Sequence, residues 1–167
     1  MPVFISYRHT DRDHAFKIDQ RLKVAGIKTY LDVLDEESRQ GTDEITDIIT
    51  KRMSECTHLL AIISDDTSKS WWVPFEIGEA TYAENRIATF QLNILDYQLP
   101  SYLKKWPKIK NLNQIEHFIS SYKNDMKYTP MMESLSGNEE YRRIYKSRGY
   151  TTTADEFHRV LKQSLGQ

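Results

Sequence analysis

The 167-residue sequence lacks the features that mark several classes of protein. Its one cysteine, Cys56, cannot form a disulfide within the chain, and its position in an apolar helical pattern predicts a buried side chain. Lysine and arginine (23) nearly balance aspartate and glutamate (24), unlike the strongly basic chains that bind nucleic acid by charge. No apolar run reaches the roughly 18 residues of a membrane helix, and the N-terminal apolar patch is too short for a signal peptide. We therefore expect a soluble, cytoplasmic protein without nucleic-acid or membrane partners.

Several motifs of nucleotide, metal and hydrolase sites are also missing. The loop YRHTDRDH, which follows the first apolar run, contains no glycine, so neither a G-x-G-x-x-G dinucleotide motif nor a P-loop is present there. No G-x-S-x-G motif precedes a serine, which argues against a triad hydrolase. The five histidines show no paired ligand spacing, and with one cysteine a structural zinc site is not expected. We predict neither a bound metal nor a cofactor.

Short apolar runs alternate with amphipathic segments along the first part of the chain. Strands are predicted at residues 3–7, 27–33, 58–64, 87–92 and 108–112, with helices between them. Because parallel strands need crossover connections of helix length, this order predicts a flavodoxin-like, doubly wound α/β fold with a mainly parallel five-stranded sheet and helices on both faces. We assign this domain to residues 1–126. Residues 127–167 are predicted to form a C-terminal helical extension packed on the same domain.

Three local signals predict where helices begin and end. Gly26 stands where a left-handed C-terminal cap would end the first helix. Asn113, with Glu116 three residues later, predicts the start of another helix. In the extension, a capping box at Thr153 precedes an apolar stripe at helical spacing, which predicts a docked terminal helix rather than a disordered tail.

The segment SKSWWVPFEIGEA, residues 68–80, places a glutamate one helical turn beyond a tryptophan. On a helix, Trp72 and Glu76 share a face. A carboxylate beside apolar rings loses water, which raises its pKa and frees it to bind sugar hydroxyls or a developing cation. Glu76 is equally compatible with facing solvent on the first turn, where the helix dipole favours negative charge. For Trp71 and Phe75 we expect packing roles.

Four segments in this order carry a resemblance to a known family: FISYRHTD, YLDVLDEESRQG, HLLAIIS and WVPFE. Together they resemble the Toll/interleukin-receptor (TIR) domain family, and in spacing especially its bacterial NAD-cleaving members, including the TIR subunit of Thoeris-type antiphage defence. The resemblance covers about residues 1–112. The loop after the second strand lacks the proline-glycine pair of many receptor and adaptor TIR domains.

The resemblance implies roles for five residues. Glu76 corresponds to the catalytic glutamate of the NAD-cleaving members, and Trp72 to part of the wall on the nicotinamide side of the site. Tyr7, Arg8 and Asp32 correspond to residues around the nucleotide.

The residues themselves leave other roles open. A guanidinium such as that of Arg8 suits a phosphate, and equally an ion pair with Asp11 or another nearby carboxylate. Asp32 can fix its own loop instead of a ligand, and Trp72 can fill the core. Glu79, on the face of Glu76, is expected to be a solvated helix residue.

The function implied by the resemblance is cleavage of the nicotinamide–ribose bond of NAD+, which is a substrate and not a cofactor. Its product, a linear, cyclic or conjugated ADP-ribose, would be sensed by a downstream effector. The resemblance also implies homo-oligomers through TIR–TIR contacts on activation, with residues 33–41 meeting the next subunit. The alternative function is a non-enzymatic adaptor that signals by TIR–TIR self-association.

Overall fold

The computed structural model describes residues 1–31, 42–136 and 153–167. Within these ranges it describes the side chains of all residues except 42–44, 68–69 and 128–136. The predicted division of the chain at residue 126 stays a prediction.

A five-stranded sheet forms the centre of the fold, in the order β2-β1-β3-β4-β5. Every neighbouring pair of strands is parallel. The strands are β1 (Val3–Ser6), β2 (Thr29–Leu31), β3 (His58–Ile63), β4 (Arg86–Gln91) and β5 (Lys108–Ile109). This is the doubly wound, flavodoxin-like arrangement that the alternation of apolar runs and helices predicts, so the predicted fold class is confirmed.

Helices connect the strands and follow the last of them. In the described part of the chain they are α1 (Arg12–Val24), α2 (Thr42–Ser54), α3 (Trp72–Tyr82), α4 (Ile115–Ser136) and α5 (Thr153–Ser164). Short 3-10 segments occupy His9–Asp11, Asp65–Lys69, Ser101–Leu103 and Leu112–Gln114. Among these helices none has both the length and the apolar character needed to cross a bilayer.

Two helix boundaries test the local predictions. Gly26 has φ +80° and closes α1, since its amide donates to the Lys23 carbonyl at 2.9 Å, so the predicted cap is confirmed. A helix starts beside Asn113, as predicted, because the 3-10 segment Leu112–Gln114 runs directly into α4 at Ile115. The side chain that caps the 3-10 segment is that of Asn111, which accepts a hydrogen bond from the Gln114 amide at 3.1 Å.

The helices cover both faces of the sheet, and the alternation of strand side chains divides the core into two clusters. On one face Ile5, Leu60 and Ile62 pack with α1, α4 and α5. On the other face Phe4 and Leu59 pack with residues of α2 and α3. Because Ser6 is two residues beyond Phe4 on β1, its side chain belongs to the face covered by α2 and α3.

The C-terminal helix α5 is joined to the sheet beside β4 and β5. Phe157 is buried in the cluster beneath α1 and α4. The backbone amide of Ile87 donates to Nε2 of His158 at 2.8 Å. Lys108 of β5 donates its amide to the side-chain oxygen of Gln167 at 3.0 Å and accepts a hydrogen bond from the same side chain. His158 and Gln167 therefore provide hydrogen-bond partners for backbone groups of β4 and β5.

Candidate functional site

The candidate site lies at the carboxyl edge of the sheet, where ligands bind in open α/β folds. The residues that follow β1 and β3 meet at this edge, and the segment after β3 leads directly into α3. The predicted site residue Asp32 lies outside the described residues, as does the loop at residues 33–41.

Glu76 is in the second turn of α3 and its exposed fraction is 0%. The buried face of α3 is formed by Val73, Ile77 and Ala80, and Glu76 lies one turn from both Val73 and Ala80. The solvent-facing alternative for Glu76 is therefore wrong. Complete burial of a carboxyl group is expensive for a fold even when the group has partners, and such groups are concentrated at functional sites.

The aromatic residues at the start of α3 have different environments. Trp72 is half-buried, and its ring makes an edge-to-face contact with that of Phe75 at a centroid distance of 6.0 Å. Trp71 is 90% exposed, so the packing role expected for it is wrong. The cause is the start of the helix at Trp72, which leaves Trp71 outside the packed face.

Tyr7 and Arg8 follow β1 but point to different surroundings. The ring of Tyr7 is buried in the cluster beneath α1 and α4 and is not brought to the face covered by α3. Arg8 is half-buried, and its Nη1 donates to the backbone carbonyl of Asp66 at 2.5 Å. The guanidinium thus reaches from the end of β1 to the loop after β3.

A buried hydrogen-bond network that the sequence did not reveal joins the same two loops. Ser64 Oγ donates to Asp11 Oδ2 at 2.7 Å, and the Ser64 amide donates to Thr67 Oγ1 at 2.8 Å. All three residues are buried. Their position just after strands was a weak signal, but the pairing joins residues 53 positions apart and has no local signature.

A family model of the TIR domain matches residues 3–125. The chain belongs to the TIR domain family. No curated protein matches the sequence.

Two solved structures share the fold of this TIR domain at low sequence identity. The TIR domain of the Toll-related receptor TRR-2 from Hydra magnipapillata is 18% identical, with a TM-score of 0.56, over 75% of this chain and 97% of that one. A metazoan TIR-STING receptor from C. gigas is 19% identical, with a TM-score of 0.56, over 88% of this chain and 53% of that one. At these identities the likeness concerns the fold alone.

Glu79 of the TIR domain is not the solvated residue that its position suggests. Thr50 Oγ1 of α2 donates to Glu79 Oε1 at 2.6 Å, and Glu79 is half-buried. The two helices are therefore linked through Glu79, one turn from Glu76. This makes Glu79 a suitable control for experiments on Glu76.

Ser6 is a second buried polar residue on the face of the TIR domain covered by α2 and α3. Its exposed fraction is 0%, and within the described residues its hydroxyl has no hydrogen-bond partner. A buried hydroxyl without a partner destabilises a fold, so its presence at the edge of the candidate site calls for an explanation.

The described residues of the TIR domain contain neither a cluster of possible metal ligands nor a reactive thiol. Those ranges contain no group of three or more His, Cys, Asp or Glu side chains arranged to hold a metal ion. Cys56 is buried, as predicted, and burial raises the pKa of its thiol to about 12. The thiol is therefore protonated at neutral pH and is a poor nucleophile.

Proposed function

We propose that this TIR domain cleaves the nicotinamide–ribose bond of NAD+, with Glu76 as the catalytic carboxylate. The observation that carries the proposal is the complete burial of Glu76 in the second turn of α3. Membership of the TIR family, which includes NAD-cleaving enzymes, supports the same assignment.

The chemistry of the bond explains why one carboxylate is enough. When the bond between C1′ of ribose and the nicotinamide nitrogen breaks, its electron pair goes to the nitrogen. Nicotinamide, which is positively charged in NAD+, then leaves as a neutral molecule and needs no general acid. Positive charge develops on the ribose instead, and a fixed carboxylate binds this transition state better than the ground state.

The second half of the reaction determines the product. If water attacks C1′ and releases a proton, the product is ADP-ribose. If an adenine nitrogen of the same molecule attacks, the product is cyclic, and an outside nucleophile yields a conjugate. All three products keep the two phosphates.

Four further residues are proposed to bind the substrate. Trp72 has a partly accessible ring near the start of α3, which suits contact with the flat nicotinamide. Arg8 is always charged, and its guanidinium suits the diphosphate. The roles of Tyr7 and Asp32 around the nucleotide follow from the resemblance to NAD-cleaving TIR domains alone.

We further propose that the enzyme is activated by assembly, as a homo-oligomer held by TIR–TIR contacts. Its nucleotide product would pass to a separate effector in bacterial antiphage defence, within the cytoplasm. In this scheme the protein needs no bound cofactor, since NAD+ is consumed as the substrate.

The test is to incubate the full chain with NAD+ over a wide range of protein concentrations. Chromatography measures nicotinamide, and mass spectrometry identifies the other product. We expect one nicotinamide per NAD+ consumed, at a rate that rises more steeply than the protein concentration. Self-association without nicotinamide release at any concentration would contradict the proposal and favour the adaptor function.

A further inference from the structure

A continuous hydrogen-bond path at the carboxyl edge leads from the loop after β1 to the first turn of α3. It begins at Asp11, which accepts from Ser64 Oγ at 2.7 Å, and continues to Thr67 through the Ser64 amide at 2.8 Å. The Ser70 amide then donates to the Thr67 carbonyl at 2.9 Å, and the Val73 amide donates to Ser70 Oγ at 3.4 Å. Val73 precedes Glu76 by one helical turn.

Arg8 lies at the other end of this path, next to Asp11. The Asp11 amide donates to the carbonyl of Arg8 at 2.7 Å, so both residues belong to one tight turn. The Arg8 side chain also reaches the Asp66 carbonyl at 2.5 Å. The loop that carries Arg8 is therefore fixed to the loop that leads into α3 at two points.

The central contact of this path is protected from water. Asp11 is 5% exposed and Ser64 is 8% exposed. Hydrogen bonds to a carboxylate are stronger than those between neutral groups, and a low local dielectric strengthens them further. The path can therefore fix the relative position of the two loops more firmly than an exposed contact between them.

We propose that Asp11 is a positioning residue for NAD+ cleavage, a role that rests on the proposed function. Through Ser64, it sets the distance between Arg8, which would hold the diphosphate, and Glu76, which would stabilise the charged ribose. Binding at a remote group accelerates a reaction only when the reacting bond is aligned at the same time. Loss of Asp11 therefore lowers kcat more than it raises KM, whereas loss of Arg8 itself raises KM.

The chain offers a matched control on the same helix. Asp19 of α1 is also buried, and it accepts hydrogen bonds from Thr29 Oγ1 and, at 2.8 Å, from Lys23 Nζ. Thr29 begins β2, so this carboxylate lies toward the opposite edge of the sheet. Asp19→Asn therefore disturbs a similar buried carboxylate without touching the path.

The experiment compares Asp11→Asn, Ser64→Ala, their double variant and Asp19→Asn in the full chain. For each we measure kcat and KM for nicotinamide release, and the midpoint of thermal unfolding. We expect each single change in the path to lower kcat about 10- to 100-fold, with KM changed less than about three-fold. The double variant should be no slower than the slower single variant, because Asp11→Asn weakens, and Ser64→Ala removes, the same hydrogen bond. Asp19→Asn should lower the unfolding midpoint but leave kcat within about two-fold of the wild type.

An activity-independent measurement separates this inference from the proposed function. Hydrogen exchange of the peptide spanning residues 64–76 should speed up in Asp11→Asn and in Ser64→Ala, but not in Asp19→Asn. If Asp11→Asn does not fold, Ser64→Ala tests the same contact. Unchanged kcat in the folded path variants, or an equal loss in Asp19→Asn, would overturn the positioning role. A wild type that releases no nicotinamide would refute the proposed function and with it the role of Asp11 in positioning the substrate, while the exchange data would still decide whether Asp11 joins the loops.

Discussion

The two edges of the same parallel sheet bury polar groups in different ways. At the amino edge, Asp125 of α4 forms an ion pair with Arg86 of β4, with Nε and Oδ2 3.0 Å apart. At the carboxyl edge, the buried hydroxyl of Ser6 has no hydrogen-bond partner within the described residues, and Glu76 is completely buried. The amino edge therefore pairs charged side chains with each other, whereas the carboxyl edge buries a complete carboxyl group and a hydroxyl that has no partner in the described residues, as functional sites do.

The amino edge also shows how α4 and α5 are attached to the sheet. The ring of His58, at the start of β3, lies 4.8 Å from that of Tyr122 and 4.9 Å from that of Phe157, measured between centroids. Burial, followed by the charge of Arg86, holds the pKa of His58 well below its usual value. The imidazole is therefore neutral at pH 7, and the 3.6 Å contact between His58 and Asp125 is not an ion pair at that pH.

We expect the largest effect from a substitution that breaks the ion pair at the amino edge. Asp125→Ala removes the carboxylate that pairs with the buried Arg86 guanidinium, so we expect a loss of about 3–5 kcal/mol in the free energy of unfolding, measured by urea denaturation. As a control, Glu116→Ala removes the exposed pair with Arg21 and should cost about 0–1 kcal/mol. Equal losses in the two variants would contradict the stabilising role of the amino edge.

A smaller effect concerns the pH dependence of stability at the amino edge. Burial lowers the pKa of His158 to about 4. In the unfolded chain a histidine has a pKa of about 6.5, so below that pH the unfolded state binds protons that the folded state does not. The stability contributed by the neutral imidazole is complete above pH 6.5 and is lost as the pH falls toward 4. We expect His158 alone to lower the free energy of unfolding by about 2 kcal/mol between pH 7 and pH 5, and buried His58 to add a loss of the same sign.

The variant that tests this is His158→Gln, because glutamine can still accept the hydrogen bond from the Ile87 amide but does not titrate. Urea unfolding of wild type and variant at pH 7, 6 and 5 should give a shallower pH dependence for the variant. Identical slopes would show that His158 does not contribute to the acid sensitivity.

We expect the smallest effect from Ser6, at the carboxyl edge. Ser6→Ala removes a buried hydroxyl that has no partner in the described structure, so we expect the free energy of unfolding to stay constant or rise by up to about 1 kcal/mol. Ser64→Ala instead removes the donor to Asp11 and should cost about 1–3 kcal/mol. If Ser6→Ala destabilised as much as Ser64→Ala, the hydroxyl of Ser6 would have to be satisfied after all.

Much of the fold was predictable because the relevant signals are local. Apolar runs predicted the strands, and Gly26 predicted the end of α1. The strand ends were less predictable, because side chains and helix caps compete with strand pairing for the backbone amides. The Ile27 amide, predicted to begin β2, donates to the Leu22 carbonyl at 3.0 Å and completes the helix cap. The Lys110 amide, predicted to belong to β5, donates to the side chain of Gln114 at 2.8 Å.

The candidate site was predictable only in part, since burial depends on which elements pack together. Helical spacing alone is compatible with either a buried or a solvated Glu76. The side chain is buried because α3 packs on the sheet. The path from Asp11 to Ser64 and the pair of Arg86 with Asp125 each join residues far apart in the sequence. Because no local pattern reports such contacts, neither is predictable from the sequence alone.

The catalytic role of Glu76 is tested by the rate of nicotinamide release by Glu76→Gln, compared with wild type and with Glu79→Gln at equal concentrations of folded protein. Glutamine keeps the size of the side chain and removes its charge, so the variant should lose about 10²- to 10³-fold or more in rate. Glu79→Gln, one turn away on the same helix, should stay within about three-fold of the wild type. A Glu76→Gln protein that releases nicotinamide at the wild-type rate would show that Glu76 is not the catalytic carboxylate.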